Sequence, residues 1–267
     1  MAEKPIHVAV TGASGRMAQE TLNAVSRDQT LKLVGASSRK HDDGILPLSG
    51  GATVPVFRDL SVLLGSVKAR VLVDFTVASA AMDHARTAFR HGASPVIGTT
   101  GLSPDNLREL EELSRSTGLG AVVAPNFALG AVLMIHLSSL AARYFDYAEI
   151  IELHHEGKLD APSGTALATA QEMVRARGRP FQYKAPQKET VSGTRGGQVE
   201  GVAIHSIRLP GLVAHQEVIF GTTGQTLSIR HDSNSRESFM PGLLLAIKEV
   251  VKRDHLVFGL NKLLGLE

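Results

Sequence analysis

The chain has 267 residues with a formal net charge of only +2, and its basic residues are scattered instead of forming a stripe, so nucleic acid is not an expected partner. It has no cysteine, which excludes disulfides and thiol catalysis and accords with a reducing interior. No apolar run reaches bilayer length, and Met1-Ala-Glu-Lys-Pro5 enters a strand without a signal peptide's apolar segment, so a soluble cytoplasmic protein of two domains is expected, with no membrane contact.

Ile6-His-Val-Ala-Val10 reads as a strand, Thr11-Gly-Ala-Ser-Gly-Arg-Met17 as a turn, and Met17, Thr21, Leu22 and Val25 as the inner stripe of a helix. Strand, glycine turn and helix form the opening of a dinucleotide-binding fold. Val10 stands at the first position of the three-glycine fingerprint, while Gly12 and Gly15 fill the second and third. Gly12 lets backbone approach a pyrophosphate, and the helix start at Ala13, Ser14, Gly15, Arg16 and Met17 offers an anion site. A plain strand-to-helix turn is the bland alternative.

The second strand, Leu31 to Ala36, ends where such folds place an acid on the adenosine ribose; here stand Ser37, Ser38, Arg39 and Lys40. Arg39 suits a 2′-phosphate, so NADPH is the expected cofactor with NADH still usable, although Asp42 and Asp43 follow closely. Strand and helix then alternate: Val54 to Phe57, Asp59 to Leu64, Arg70 to Phe75, Ser79 to His91, Pro95 to Gly98, Ser103 to Thr117 and Ala121 to Ala124. This predicts an α/β class, a Rossmann-like doubly wound parallel sheet covered on both faces. The turns Asp74-Phe75-Thr76, Gly98-Thr99-Thr100-Gly101 and Ala124-Pro125-Asn126-Phe127 follow three of those strands, at the ends where ligands bind.

The pattern then changes. A long helix is predicted over Leu129 to Phe145, a strand over Ala148 to Leu153, and a helix over Ser163 to Arg177. Gly178 to Gly201 is polar and rich in glycine and proline, so a loop or lid is expected. Strands follow at Val202 to Leu209, Glu217 to Thr222 and Thr226 to Asp232, the last two joined as a hairpin through Gly221-Thr-Thr-Gly224. They predict a second, smaller α+β domain with an open mixed sheet, a surface that invites another subunit. A helix over Glu237 to Lys252, interrupted at Pro241-Gly242, returns to the first domain. The expected division is 1–126 with 237–267 for dinucleotide, and 127–236 for substrate and oligomerisation.

Between the strand and helix at the centre lies Glu152-Leu-His-His-Glu-Gly-Lys-Leu-Asp-Ala-Pro-Ser-Gly-Thr-Ala166, with His154, His155 and Lys158 in the connection. The start of the helix at Ser163, Gly164 and Thr165 is a natural carboxylate cradle, and Lys158 adds a cation. Either histidine can pass a proton near neutral pH. Taken singly, each feature has an ordinary structural explanation. Zinc is not expected, because no cysteine or His-x-x-x-His spacing completes a ligand set.

Those motifs, Gly12 to Met17, Asp74 to Thr76, Gly98 to Gly101, Ala124 to Phe127 and above all Glu152 to Ala166, resemble the dihydrodipicolinate reductase family over the whole chain. The resemblance implies reduction of 4-hydroxy-tetrahydrodipicolinate to tetrahydrodipicolinate in lysine and diaminopimelate biosynthesis, by cytoplasmic homotetramers acting on a small dicarboxylate. It assigns His154 as proton donor and Lys158 as second catalytic residue, with His155, Gly164 and Thr165 on substrate. It places Gly12 to Met17, Gly98 to Thr100 and Ala124 to Phe127 on cofactor. Ala18 departs from the family's common glycine, and Arg39 or Lys40 from the acid some members carry. Two competing readings are another two-domain Rossmann dehydrogenase of a small amino or keto acid, and a non-catalytic nucleotide-sensing protein.

Overall fold

Two sheets organise the chain, and the structure, a computed structural model, describes residues 4–266. Met1, Ala2 and Glu3 of the expected lead-in and the terminal Glu267 lie outside the described residues. The chain divides into one unit that runs to Phe127 and resumes at Phe239, and a second unit, Ala128–Ser238, inserted between.

In order, the first unit contributes β1 (Ile6–Thr11), α1 (Arg16–Arg27), β2 (Leu31–Ser37), β3 (Gly44–Pro47), β4 (Thr53–Phe57), α2 (Leu60–Ser66), β5 (Val71–Asp74), α3 (Ala78–Arg90), β6 (Ser94–Ile97), α4 (Pro104–Thr117) and β7 (Ala121–Val123). The second contributes α5 (Leu129–Ala141), β8 (Tyr147–His154), α6 (Gly164–Arg177), β9 (Gly197–Val199), β10 (Val202–Arg208), β11 (Ala214–Thr222) and β12 (Gln225–Ser233). A 3-10 turn, Arg236–Phe239, leads back to the first unit's α7 (Met240–Val250), β13 (Leu256–Phe258) and α8 (Leu260–Leu263).

The first unit's sheet runs β13-β7-β6-β5-β1-β2-β4-β3, parallel except for β3 against β4. Every residue of β5 and β6 is buried, as a strand covered by helices on both faces requires. α1 buries Ala18, Thr21, Leu22 and Val25, one stripe at helical spacing. Successive strands step to opposite sides of β1, with β2 on one side and β5 on the other, so β1 marks the switch point where such sheets bind ligands.

The second unit's sheet runs β12-β11-β8-β10-β9, with β8 parallel to β10 and antiparallel to β11. Ile150, Ile204, Val218 and Phe220 pack from the sheet against Met134 of α5 and Ala166, Ala170 and Met173 of α6. The β11–β12 hairpin closes where Thr222 pairs with Gln225, with Gly224 in the left-handed region.

Several boundaries differ from expectation. The helix predicted through Phe145 stops at Ala141, because the Arg177 guanidinium binds the carbonyls of Ala142 and Phe145 beyond it. Residues 178–201 are not wholly irregular, since β9 pairs with β10. β11 begins at Ala214, earlier than Glu217, because its pairing with β8 continues to His154. Pro241 does not interrupt the closing helix but sits in its first turn, where the missing N–H costs nothing. β8 reaches His154, so that histidine belongs to the strand and not to the connection after it.

Candidate active site

Each predicted nucleotide segment of the first unit sits at the carboxyl end of a strand. Gly12 has φ +75, and a Cβ there would lie 2.7 Å from Thr76 Cγ2, so only glycine lets the turn after β1 lie against the turn after β5. The Ala13 N–H bonds the Ser37 carbonyl at 3.0 Å, which ties the glycine turn to the end of β2 beside exposed Arg39. Ser14, Gly15 and Arg16 are exposed, and α1 opens with neither a side-chain cap nor an acid in its first turn. That leaves its N–H groups available to an anion. Asp42 and Asp43 are both engaged by Arg58, by its guanidinium at 3.5 Å and its backbone N–H at 2.6 Å.

After β5, the buried Asp74 carboxylate accepts the Thr76 N–H at 2.6 Å and lies 2.7 Å from His84 Nδ1, which fixes the Phe75-Thr76 turn. After β6, Gly98 packs so closely on Phe75 that a Cβ would lie 2.1 Å from the ring. After β7, Phe127 meets Phe75 edge to face with centroids 5.7 Å apart. Thr99 Oγ1 is buried without a partner, a polar atom left over for a ligand. Thr100 and Pro125 are exposed beside it. An open helix terminus, a glycine cradle and a spare hydroxyl fit a dinucleotide, and they gather Gly12, Ala13, Ser14, Gly15, Arg16, Met17, Phe75, Thr76, Gly98, Thr99, Thr100, Ala124, Pro125, Asn126 and Phe127 at one sheet edge.

In the second unit, Glu152 and His154 stand two apart on β8 and so share a face, the one that carries Ile150 into the core. His154 Nδ1 lies 2.5 Å from Glu152 Oε2, and Glu152 is fully buried. Arg208, paired with His154 across β8 and β10, grips the same carboxylate at 2.9 and 2.7 Å. Burial opposes ionisation of Glu152, but hydrogen bonds from His154, Arg208 and Ser206 prevail and hold its pKa down to about 2. Lys158 is half-buried, with its ammonium 2.7 Å from exposed Asp160, whose carboxyl it holds below the usual range. His155 is exposed. Ser163 caps α6 by accepting the Ala166 N–H at 3.2 Å, and open space faces Gly164 at the helix tip, beside half-buried Thr165. Among the described residues no group of three His, Asp or Glu forms a metal site.

The family model described as "Dihydrodipicolinate reductase, N-terminus" matches residues 6–127, and its C-terminal counterpart matches residues 130–264. The chain belongs to the dihydrodipicolinate reductase family. Relatives named 4-hydroxy-tetrahydrodipicolinate reductase include one from Moorella thermoacetica, 52% identical over 97% of this chain and 98% of its own length, and one from Dehalococcoides mccartyi, 51% identical over 98% and 99%. A solved dihydrodipicolinate reductase from Paenisporosarcina sp. TG-14, described as dipicolinate-bound, shares 42% identity and a TM-score of 0.86 over 97% of this chain and 99% of that one. As a member of this family the chain is an NAD(P)H-dependent oxidoreductase with a Rossmann-like first sheet.

Glu152, Arg208 and Asp160 were not among the residues expected to act at the site. The spacing of Glu152 and His154 was the available signal for the first, since alternate strand residues share a face. Arg208 and His84 come from distant elements and carried no local signal.

Proposed function

We propose that this chain reduces 4-hydroxy-tetrahydrodipicolinate to tetrahydrodipicolinate, with loss of water, in lysine and diaminopimelate biosynthesis, with NADPH preferred and NADH usable. The observation that carries the reading is His154, its side chain 14% exposed and anchored on a buried carboxylate, at the end of β8. The similarity to a dipicolinate-bound reductase supports a cyclic dicarboxylate as substrate. Exposed Arg39 and Lys40 after β2, with Asp42 and Asp43 drawn off by Arg58, support recognition of a 2′-phosphate. The first unit is assigned to the nucleotide and the second to substrate.

A bound reduced nicotinamide supplies the hydride. The reaction takes up one hydride and one proton and releases one water, so the protein must deliver a proton as electron density moves toward the ring nitrogen. His154 gives that proton, and the Lys158 cation favours negative charge developing on the ring. The Gly164 and Thr165 N–H groups and His155 hold a carboxylate, at a helix tip whose first turn carries no acid.

A cytoplasmic homotetramer is the proposed state. α5 and α6 both pack on one face of the second sheet, while the other carries half-buried Ile151, Leu153, Ile207 and Ile219 among Glu149, His205, His215 and Glu217. The test is to follow NADPH absorbance with substrate generated by the preceding synthase. Turnover that needs both substrate and NADPH is the expected result, and no oxidation with substrate present would overturn the reading.

A further inference from the structure

Glu152 is a charge placed where charges are costly. A carboxylate taken out of water is destabilised unless partners satisfy it. Oε1 accepts Arg208 Nη2 at 2.7 Å and the Ser163 N–H at 3.2 Å, while Oε2 accepts Arg208 Nη1 at 2.9 Å and meets His154 Nδ1 at 2.5 Å. One carboxylate thus joins the imidazole, an arginine on the next strand and the cap of α6. The sheet dictates this arrangement. Ser206 and Gln216 flank Glu152 across the strands, and Arg208 and Ala214 flank His154 one row further on.

An ionised carboxylate can only accept hydrogen bonds, so the imidazole nitrogen facing it must carry a hydrogen. Arg208 has no terminal N–H left for a ligand. Nη1 also donates to the Ile207 carbonyl and Nη2 to the Asp160 carbonyl, both at 2.8 Å, and buried Nε has no partner. Its cation therefore balances Glu152 and does not bind a substrate carboxylate.

We infer that Glu152 and Arg208 are a positioning pair that holds His154 in the form protonated at Nδ1, leaving Nε2 as the atom that gives up and regains the catalytic proton. This rests on the reading of His154 as proton donor. The Ser163 contact extends the pair's reach, because the same carboxylate sets where α6 presents its first N–H groups.

Glu152→Gln tests it. Arg208 needs the amide oxygen, which turns the amide NH2 toward Nδ1. Loss of the Nε2 proton then leaves two N–H groups facing each other, and kcat should fall roughly 100-fold, the lower range for a positioned acid, with KM for NADPH unchanged. Glu152→Asp, which keeps the charge, should recover part of kcat. 15N NMR of the full-length protein labelled in histidine, with His154 assigned by its loss in His154→Gln, should show neutral His154 protonated at Nδ1 in the parent and at Nε2 in Glu152→Gln. A parent His154 with bare Nδ1, or a Glu152→Gln enzyme within about twofold of the parent kcat, would overturn the inference. If Glu152→Gln does not fold, the parent spectrum alone decides. An active His154→Gln defeats the reading of His154 itself, whereas an inactive His154→Gln beside an active Glu152→Gln defeats only the positioning pair.

Discussion

His154 and Lys158 carry different burdens, and their substitutions separate them. Replacing His154 by Ala removes the proposed proton donor and should lower kcat roughly 100- to 10,000-fold while NADPH affinity, measured by direct titration, stays close to the parent's. Lys158→Ala should lower kcat and also raise KM for the dicarboxylate, and unchanged kinetics would remove it from the site. Arg39→Asp replaces a guanidinium with a charge that repels a 2′-phosphate. A lost charge-assisted hydrogen bond of about 1.5–3 kcal/mol predicts a roughly 10- to 150-fold shift in the NADPH to NADH ratio of kcat/KM. Glu152 makes a prediction about acid stability. Its ordinary pKa of 4.5 falls to about 2 in the folded chain, so the unfolded chain binds its proton first as pH drops. The stability it contributes is complete above pH 4.5 and is lost progressively as pH falls toward about 2. Urea unfolding followed across that interval should show a steeper decline for the parent than for Glu152→Gln, and equal slopes would show that Glu152 carries none of it.

Among elements, the turns after β5, β6 and β7 act as one packed edge. A methyl group at Gly98 would sit 2.1 Å from Phe75, whose ring is already braced on Phe127. Gly98→Ala should therefore cost about 1–3 kcal/mol in urea unfolding and raise KM for NADPH, because the displaced ring belongs to the same edge. The alternation that builds this edge was legible in the sequence, since buried parallel strands such as Val71–Asp74 and Ser94–Ile97 read as apolar runs followed by polar turns. Shorter elements were not. β3 and β9 are short and almost wholly outside the core, so no buried apolar run marks them, and β13 and α8 are three- and four-residue pieces that follow closely on a helix and on each other. The true end of α5 was hidden for another reason: the group that terminates it, Arg177, lies on a different helix. The same holds at the site. His154, Lys158 and the tip of α6 are neighbours in sequence and could be found together, whereas Arg208 reaches Glu152 only through the pairing of β10 with β8.

For the whole molecule, the second sheet has one face against two helices and another on which half-buried Ile151, Leu153, Ile207 and Ile219 stand among Glu149, His205, His215 and Glu217. The apolar side chains of such a mixed face are stabilised by burial against another copy. The chain should sediment as a tetramer, and Ile219→Glu should yield smaller species; a parent that sediments as a monomer would remove the tetramer from the proposal. The insertion of the second unit between Phe127 and Phe239 also sets a schedule for synthesis. β7 pairs on one side with β6, made just before it, and on the other with β13, made only after the whole insertion. While the ribosome works through residues 128–238, the nascent first sheet waits with the backbone of β7 uncovered along one side. A message cut short before Leu256 would leave that edge bare permanently, a template for pairing with a stranger's strand.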